Sequence, residues 1–86
     1  MGNYRVEVAR AAEKALFRLP KNAISKIIAA IQSLAINPYP DGCRKLTGEH
    51  HTFRVRIGVY RIIYEVFDDI ILVKVLKIGH RKDAYR

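Results

Sequence analysis

The sequence predicts a small α+β domain in which a helical hairpin packs on one face of a mostly antiparallel four-stranded sheet. Apolar residues recur at helical spacing between residues 11 and 36 and at strand spacing between about 51 and 78. Hydrophobic residues make up 50% of the 86 residues, which is typical of a packed domain. The predicted order is β-α-α-β-β-β. We expect one domain over residues 1–86, because no linker, repeat or low-complexity segment interrupts the pattern.

The first half of the chain predicts one strand and two helices. YRVEVA (4–9) alternates as a strand does. Residues 11–20 have a helical stripe that ends at Pro20, because proline cannot continue a helix comfortably, and residues 21–36 form a second amphipathic helix. The apolar stripes consist of Ala12, Leu16 and Leu19 in the first helix and Ile24, Ile27, Ile28, Ile31, Leu34 and Ala35 in the second.

The middle of the chain predicts a loop before the remaining strands. NPYPDG (37–42) is the strongest loop signal, and CRKLTGEH (43–50) is either irregular or a short strand. The helices separate the first strand from the last three. We therefore expect it to join the sheet beside one of them, with parallel pairing as one option.

The register of the long hairpin follows from its turn. Gly58-Val59 suits a two-residue type II′ turn, because glycine adopts the positive φ of the first central position. The predicted pairs are Ile57–Tyr60, Arg56–Arg61, Val55–Ile62, Arg54–Ile63 and Phe53–Tyr64.

A second turn at Asp68-Asp69 is predicted to close the last hairpin. Its pairs would be Val66–Ile71, Tyr64–Val73, Ile63–Lys74 and Arg61–Leu76. The face toward the helices would then carry Phe53, Val55, Ile57, Tyr60, Ile62, Tyr64, Val66, Ile71, Val73 and Val75. The opposite face would carry Arg54, Arg56, Arg61, Lys74, Leu72, Leu76 and Ile78.

The charged residues indicate an anionic partner. There are 16 Lys and Arg residues against 8 acids, a net charge of +8, which suits nucleic acid, the ribosome, a membrane surface or an acidic protein. Like charges directly opposite on a sheet are destabilising, yet Arg56 should face Arg61 with Arg54 beside them. We interpret these guanidiniums as a phosphate site. The alternative is a solvated face on which arginine stems cover Ile63 and Leu76.

The tail GHRKDAYR adds His80, Arg81 and Tyr85 just beyond the last strand. An arginine and a tyrosine beside a phosphate site suit phosphodiester chemistry, in which charge on a phosphorane is stabilised and a general acid or base moves a proton. The alternative role of Tyr85 is stacking on a base, and that of His80 is a plain polar tail residue.

We expect neither a metal site nor a cofactor. The acids are scattered, and the adjacent His50 and His51 would point to opposite faces of a strand. Cys43 has no second cysteine, and no glycine-rich phosphate loop is present. The chain lacks an apolar run of membrane-spanning length and a signal-peptide pattern, so we expect cytoplasmic residence and no membrane partner.

Four segments closely resemble the RelE/ParE superfamily of type II toxins, in its RelE-like branch: KALFRLPK, NPYPDGCRKLTG, FRVRIGVYRIIYEV and VLKIGHRKDAYR. Phe53 stands where tyrosine is common and Ala84 where valine is common, and neither is a proposed catalytic group. The resemblance implies a metal-independent, ribosome-dependent mRNA endonuclease. Such a toxin cuts mRNA in the ribosomal A site through attack by the 2′-OH on the neighbouring phosphate, and so inhibits translation.

The resemblance also implies residue roles. Arg61 and Arg81 would bind and stabilise the scissile phosphate. Tyr85 would stack on the substrate or exchange a proton with it, while Arg54 and Arg56 lower the pKa of Tyr85 or serve as acid. The residues expected to bind substrate are Lys45, Lys74 and His80.

The implied partners are a RelB-like antitoxin, the ribosomal A site with its mRNA and ribosomal RNA, and operator DNA reached only through the antitoxin. Some relatives use a histidine near position 80, so His80 is a second candidate for proton transfer. Two other functions stay open: a ParE-like inhibitor of DNA gyrase without nuclease activity, and a non-enzymatic RNA-binding module. The strand arginines together with Arg81 and Tyr85 favour the nuclease.

Overall fold

The computed structural model describes residues 3–80 and 82, and their arrangement confirms the predicted α+β class. The sheet has five strands instead of four, because residues 44–45 form a short strand. Its order is β1-β5-β4-β3-β2. Among the described residues, neither helix combines the length and the apolar composition that a membrane span requires. The elements are β1 (Arg5–Val8), α1 (Arg10–Phe17), α2 (Lys21–Ile36), β2 (Arg44–Lys45), β3 (Thr52–Ile57), β4 (Tyr60–Phe67) and β5 (Leu72–His80).

The two helices and one face of the sheet share an apolar core. Pro20 separates the helices, and its carbonyl accepts a hydrogen bond from the Ile24 amide at 3.0 Å, so α2 begins directly after it. The helical stripes are buried largely as their spacing predicts, except that Ile28 is 37% exposed. The buried core consists of Ala12, Leu16, Ile27, Ile31 and Leu34 from the helices and Val55, Ile62, Tyr64, Val66, Val73, Val75 and Ile78 from the sheet.

The first strand joins the sheet in parallel, beside the last. β1 pairs with β5 from Arg5 opposite Leu72 to Val8 opposite Val75. The two helices follow β1 in the chain and are part of the long connection that parallel pairing of β1 with β5 requires. Because β1 takes the outer position, β5 becomes a central strand.

The β3–β4 hairpin has the predicted register. All five predicted pairs are present, including Arg56 opposite Arg61 and Arg54 opposite Ile63. Gly58 has a φ of +61°, as the first central position of the turn requires.

The β4–β5 hairpin differs from the prediction. Its turn spans four residues, 68–71, so Val66 pairs with Val73 and not with Ile71. Ile71 has a φ of +54° and is 46% exposed. It therefore lies outside the core, although the sequence placed it on the face toward the helices. The other pairs shift as well: Tyr64 lies opposite Val75, Ile63 opposite Lys77 and Arg61 opposite Gly79.

A β-bulge between Ile63 and Tyr64 adds one further residue to the register of β5. Because successive side chains of a strand alternate, one extra residue exchanges the two faces beyond it. Ile78 is therefore in the core at 5% exposure, although the sequence placed it on the opposite face.

The sheet face turned away from the helices is more covered than the sequence suggests. Arg61 is 4% exposed, Ile63 6% and Leu72 9%. Both β4 and β5 have a neighbouring strand on each side, so side chains flank theirs from both directions. This face is a partly desolvated surface, not a fully hydrated one.

Three tyrosine hydroxyls fasten the loop after α2 and the β4–β5 turn. Tyr4 donates to Oδ1 of Asp68 at 2.6 Å, and Tyr39 donates to Oδ2 of the same carboxylate at 2.7 Å. The buried hydroxyl of Tyr64 donates to the Pro38 carbonyl at 2.8 Å. Asp68 therefore joins the start of β1, the loop and the turn.

These bonds change the acidity of the groups that make them. The two tyrosine hydroxyls hold the pKa of Asp68 below its ordinary 3.8. Burial, together with the hydrogen bond to Asp68, raises the pKa of Tyr39 to about 12. Burial also raises the pKa of Tyr64. The carboxylate form of Asp68 is thus the form that the folded chain prefers.

We expect the contribution of Asp68 to stability to depend on pH. Its pKa is lower in the folded protein, so its ionised form stabilises the fold above about pH 3.8, and this stabilisation is lost as the pH falls through the folded-state value. Asp68→Asn should therefore lower the urea midpoint more at about pH 6 than at about pH 2. Asp69→Asn removes the same charge from the same turn and is the control. Equal losses for Asp68→Asn at both pH values would show that the charge is not what the tyrosines bind.

Candidate functional site

Two rows of arginine cross the sheet on the face turned away from the helices. In one row Arg56 of β3 lies directly opposite Arg61 of β4, as predicted. In the next row Arg54 of β3 lies opposite Arg44 of β2. Two residues of a strand span about 7 Å, so one short polyanion can reach both rows.

The arginines differ in how far water reaches them. Arg61 is 4% exposed, Arg54 is half-buried and Arg56 is exposed. Burial limits the orientations of a guanidinium and strengthens its attraction for an anion, because less water screens the charge. Arg56 at the rim is accessible to a ligand arriving from solvent. The face therefore offers a fixed cation beside accessible ones.

Both arginine rows place like charges in direct cross-strand positions. Opposite charges at such positions contribute roughly 0.2–1 kcal/mol each, and like charges are destabilising. A phosphate between two guanidiniums replaces repulsion with charge-assisted, bidentate hydrogen bonds. An anion bound between Arg56 and Arg61, or between Arg44 and Arg54, would relieve the repulsion that these cross-strand positions create.

Lys74 lies in a different row, between two acids. Its Cα partners are Glu7 of β1 and Glu65 of β4. The two neighbouring carboxylates offset much of its positive potential. Of the residues predicted to bind substrate, Lys74 therefore adds less to the attraction for an anion than the arginines do.

Lys45 and His80 lie on the side of the sheet that faces the helices. Lys45 pairs with Phe53 and His80 with Tyr60, and both partners pack against the core. The His80 ring meets Tyr60 edge-on at 6.1 Å, and its Nδ1 accepts a hydrogen bond from the Lys82 amide at 3.2 Å. Neither predicted residue is brought into the arginine rows.

Within the described residues, two cations join the row of Arg54 in addition to the predicted set. Lys77 reaches this face through the bulge and pairs with Ile63, and Arg44 belongs to the short strand β2. Regular alternation could not have placed Lys77 there, because it follows Lys74 by three residues and side chains on one face of a regular strand are an even number apart; the bulge brings both to the same face. Two residues are too short a pattern to predict the position of Arg44.

The predicted catalytic residues Arg81 and Tyr85 lie outside the described residues, and their roles stay predictions. Arg54, Arg56 and Arg61 form one continuous surface with Arg44. This surface can bind phosphates and stabilise added negative charge. Arginine is not deprotonated in proteins, so the group that removes a proton must come from elsewhere.

Comparison with known proteins gives consistent matches over nearly the whole chain. The sequence model of the ParE toxin of the type II toxin–antitoxin system parDE matches residues 6–85. The chain is 33% identical over 86 residues to RelE1 of Methanocaldococcus jannaschii, covering 96% of each protein. It is 32% identical over 87 residues to the toxin RelG of Mycobacterium tuberculosis, covering 96% of this chain and 97% of RelG.

Solved structures match equally well. The crystal structure of the archaeal RelE–RelB complex from Pyrococcus horikoshii contains a chain that aligns with a TM-score of 0.84 and 32% identity. The alignment covers 95% of this chain and 99% of that one. The five-stranded sheet and helical pair are thus similar to those of a protein solved with its RelB partner.

We expect Arg56→Glu to raise the free energy of unfolding by about 0.2–1 kcal/mol, because it converts a like-charged cross-strand pair into an oppositely charged one. Lys26→Glu, on the exposed surface of α2, lowers the net charge equally and is the control. Urea unfolding of both variants gives the comparison. If Arg56→Glu is no more stable than Lys26→Glu, then Arg56 and Arg61 do not measurably destabilise the fold.

Proposed function

Because this chain belongs to the RelE/ParE superfamily and is a toxin of a type II toxin–antitoxin system, we propose that it is a ribosome-dependent endonuclease that cuts mRNA in the A site. The reaction is attack by a ribose 2′-OH on the neighbouring phosphate, without a metal ion. One observation carries the proposal: two adjacent arginine pairs, Arg56–Arg61 and Arg44–Arg54, lie on one face of the sheet.

The chemistry requires cations, one proton acceptor for the 2′-hydroxyl and one proton donor for the leaving 5′-oxygen. The 2′-oxygen forms a bond to phosphorus, its proton passes to a base, and the bond from phosphorus to the 5′-oxygen breaks as that oxygen gains a proton. Negative charge accumulates on the phosphoryl oxygens between these events. Fixed positive groups that contact those oxygens lower the barrier, because they interact more strongly with the transition state than with the substrate.

The residues divide between these tasks. Arg61, held at 4% exposure, and Arg81 bind the scissile phosphate. Tyr85 stacks on the substrate or exchanges the proton. We assign to Arg54 and Arg56 the lowering of the pKa of Tyr85, since a cation near a phenol favours its ionised form and arginine itself is a poor acid.

The partners follow from charge and from the relatives. A net charge of +8 favours association with messenger and ribosomal RNA in the cytoplasm. A RelB-like antitoxin is the expected inhibitor, because the related archaeal protein was solved with RelB. Operator DNA is reached through the antitoxin. Lys45, Lys74 and His80 bind RNA outside the scissile phosphate in this proposal.

A ParE-like inhibitor of DNA gyrase is the second candidate function, because the matching family is that of ParE toxins. Such a protein would act on gyrase and would not cut mRNA. One experiment separates the two functions. Translating ribosomes with a defined message should yield breaks in the A-site codon, detected by primer extension, whereas a gyrase poison leaves messages intact and yields cleaved supercoiled DNA with gyrase. A protein that does neither is a basic module that only binds RNA.

We expect Tyr85→Phe to lower the single-turnover rate of mRNA cleavage on ribosomes by roughly 10²–10⁴-fold, which is the usual contribution of a general acid or base. The variant keeps the aromatic ring and loses only the hydroxyl. Tyr60→Phe removes a hydroxyl from the opposite side of the sheet and is the control. Full activity of Tyr85→Phe would leave stacking as the role of Tyr85 and exclude proton transfer by it.

A further inference from the structure

The sheet edge formed by β2 contains a cleft beside the Arg56–Arg61 row. Its volume is about 470 Å³. Three of its lining residues are cations, and the others are apolar or hydroxyl-bearing. In the described part of the chain they are Arg44, Lys45, Leu46, Thr47 and Arg54.

Backbone hydrogen bonds hold the wall of this cleft in place. The Leu46 amide donates to the Thr52 carbonyl at 2.9 Å, and the Glu49 amide donates to the Leu46 carbonyl at 3.1 Å. Gly48 has a φ of +82°, which lets the chain turn back toward β3 directly after Thr47. Arg44 is also fixed opposite Arg54 by strand pairing. The cations are therefore presented by a structured edge.

We propose that this cleft is a second phosphodiester-binding subsite, one step along the polymer from the phosphate at Arg56 and Arg61. The inference rests on the proposed function, which makes RNA the polymer. Arg54 and Arg56 are two residues apart on β3, so the two arginine rows are separated by about 7 Å. That distance is comparable to the separation of neighbouring phosphates in an extended single strand.

Two features favour a phosphodiester over an acidic peptide. β2 has only two residues, so it offers too short a free edge for a peptide to add as a strand. The cleft also has one half-buried apolar residue, Leu46, which is little surface for the side chains of an amphipathic segment. Guanidiniums and the Thr47 hydroxyl are hydrogen-bond donors suited to phosphate oxygens.

The first test is binding of a fluorescein-labelled, single-stranded 2′-O-methyl RNA, which cannot be cut because the attacking hydroxyl is blocked. Arg44→Ala should weaken binding several-fold and lower the slope of log affinity against log salt by about 0.7, the value for one lost phosphate contact on a single strand. Arg18→Ala removes an exposed arginine that directly follows the last residue of α1, and it should leave the slope unchanged. If Arg44→Ala and Arg18→Ala bind alike, the subsite does not exist.

The second test locates the phosphate. Each phosphodiester of the oligonucleotide is replaced in turn by a neutral methylphosphonate. At one position the replacement should weaken wild-type binding but leave Arg44→Ala binding unchanged, because the arginine and that charge act as a pair. If every replacement weakens both proteins equally, Arg44 does not contact a phosphate of the oligonucleotide.

Ribosome experiments distinguish the source of the phosphate. If it belongs to the message, a methylphosphonate at the same position of the mRNA should reproduce the effect of Arg44→Ala on A-site cleavage. If it belongs to ribosomal RNA, Arg44→Ala should weaken ribosome binding whatever the message.

An effect of Arg44→Ala on antitoxin binding alone would overturn the subsite. Absence of cleavage by the wild type, with Arg44-dependent RNA binding intact, would overturn the proposed nuclease and leave the subsite standing.

Discussion

The candidate site depends on the register of the β3–β4 hairpin. A two-residue turn at Gly58 leaves one pairing in which Val55, Ile62 and Tyr64 all face the helices, and that pairing puts Arg56 opposite Arg61. Burying an aliphatic side chain contributes roughly 1.5–3 kcal/mol, whereas cross-strand charge pairs amount to about 1 kcal/mol or less. The core therefore decides the register, and the repulsion is tolerated on the opposite face. A slip of one residue would relieve the arginines only by burying them, which costs more.

Local sequence pattern predicted the elements whose causes are local. The helical stripes, the break at Pro20 and the hairpin at Gly58 need only neighbouring residues, and each was confirmed. The predicted two-residue β4–β5 turn was wrong: the turn spans residues 68–71, and its Asp68 accepts hydrogen bonds from Tyr4 and Tyr39, which are far away in sequence. The bulge in β5 was also missed. Its effect, the inward turn of Ile78, follows from pairing with β4 and not from the alternation of β5 alone.

The same distinction applies to the site. The Arg56–Arg61 row follows from one turn and was predicted, while Lys77 and Arg44 depend on a bulge and on a strand of two residues. Alternation counted from the wrong turn cannot tell which side of the sheet His80 occupies. The assignments of Arg81 and Tyr85 rest on family resemblance. The structure thus adds Arg44, on the β2 edge, to the arginine cluster. It places His80 on the opposite side of the sheet, away from that cluster.

The parallel pairing of β1 with β5 also has a consequence for synthesis of the chain. Ribosomes make proteins from the N-terminus, and in the described sheet β1 pairs with β5, the last strand to be made. The pairing of β1 stays unformed until β5 has been made, and the Tyr4–Asp68 contact stays unformed until Asp68 has been made. Contacts between residues so distant in sequence also form slowly. The edge strand β1 therefore joins the sheet only after β5 has been made, whereas the β3–β4 hairpin with Arg56 and Arg61 can pair as soon as its own two strands are available.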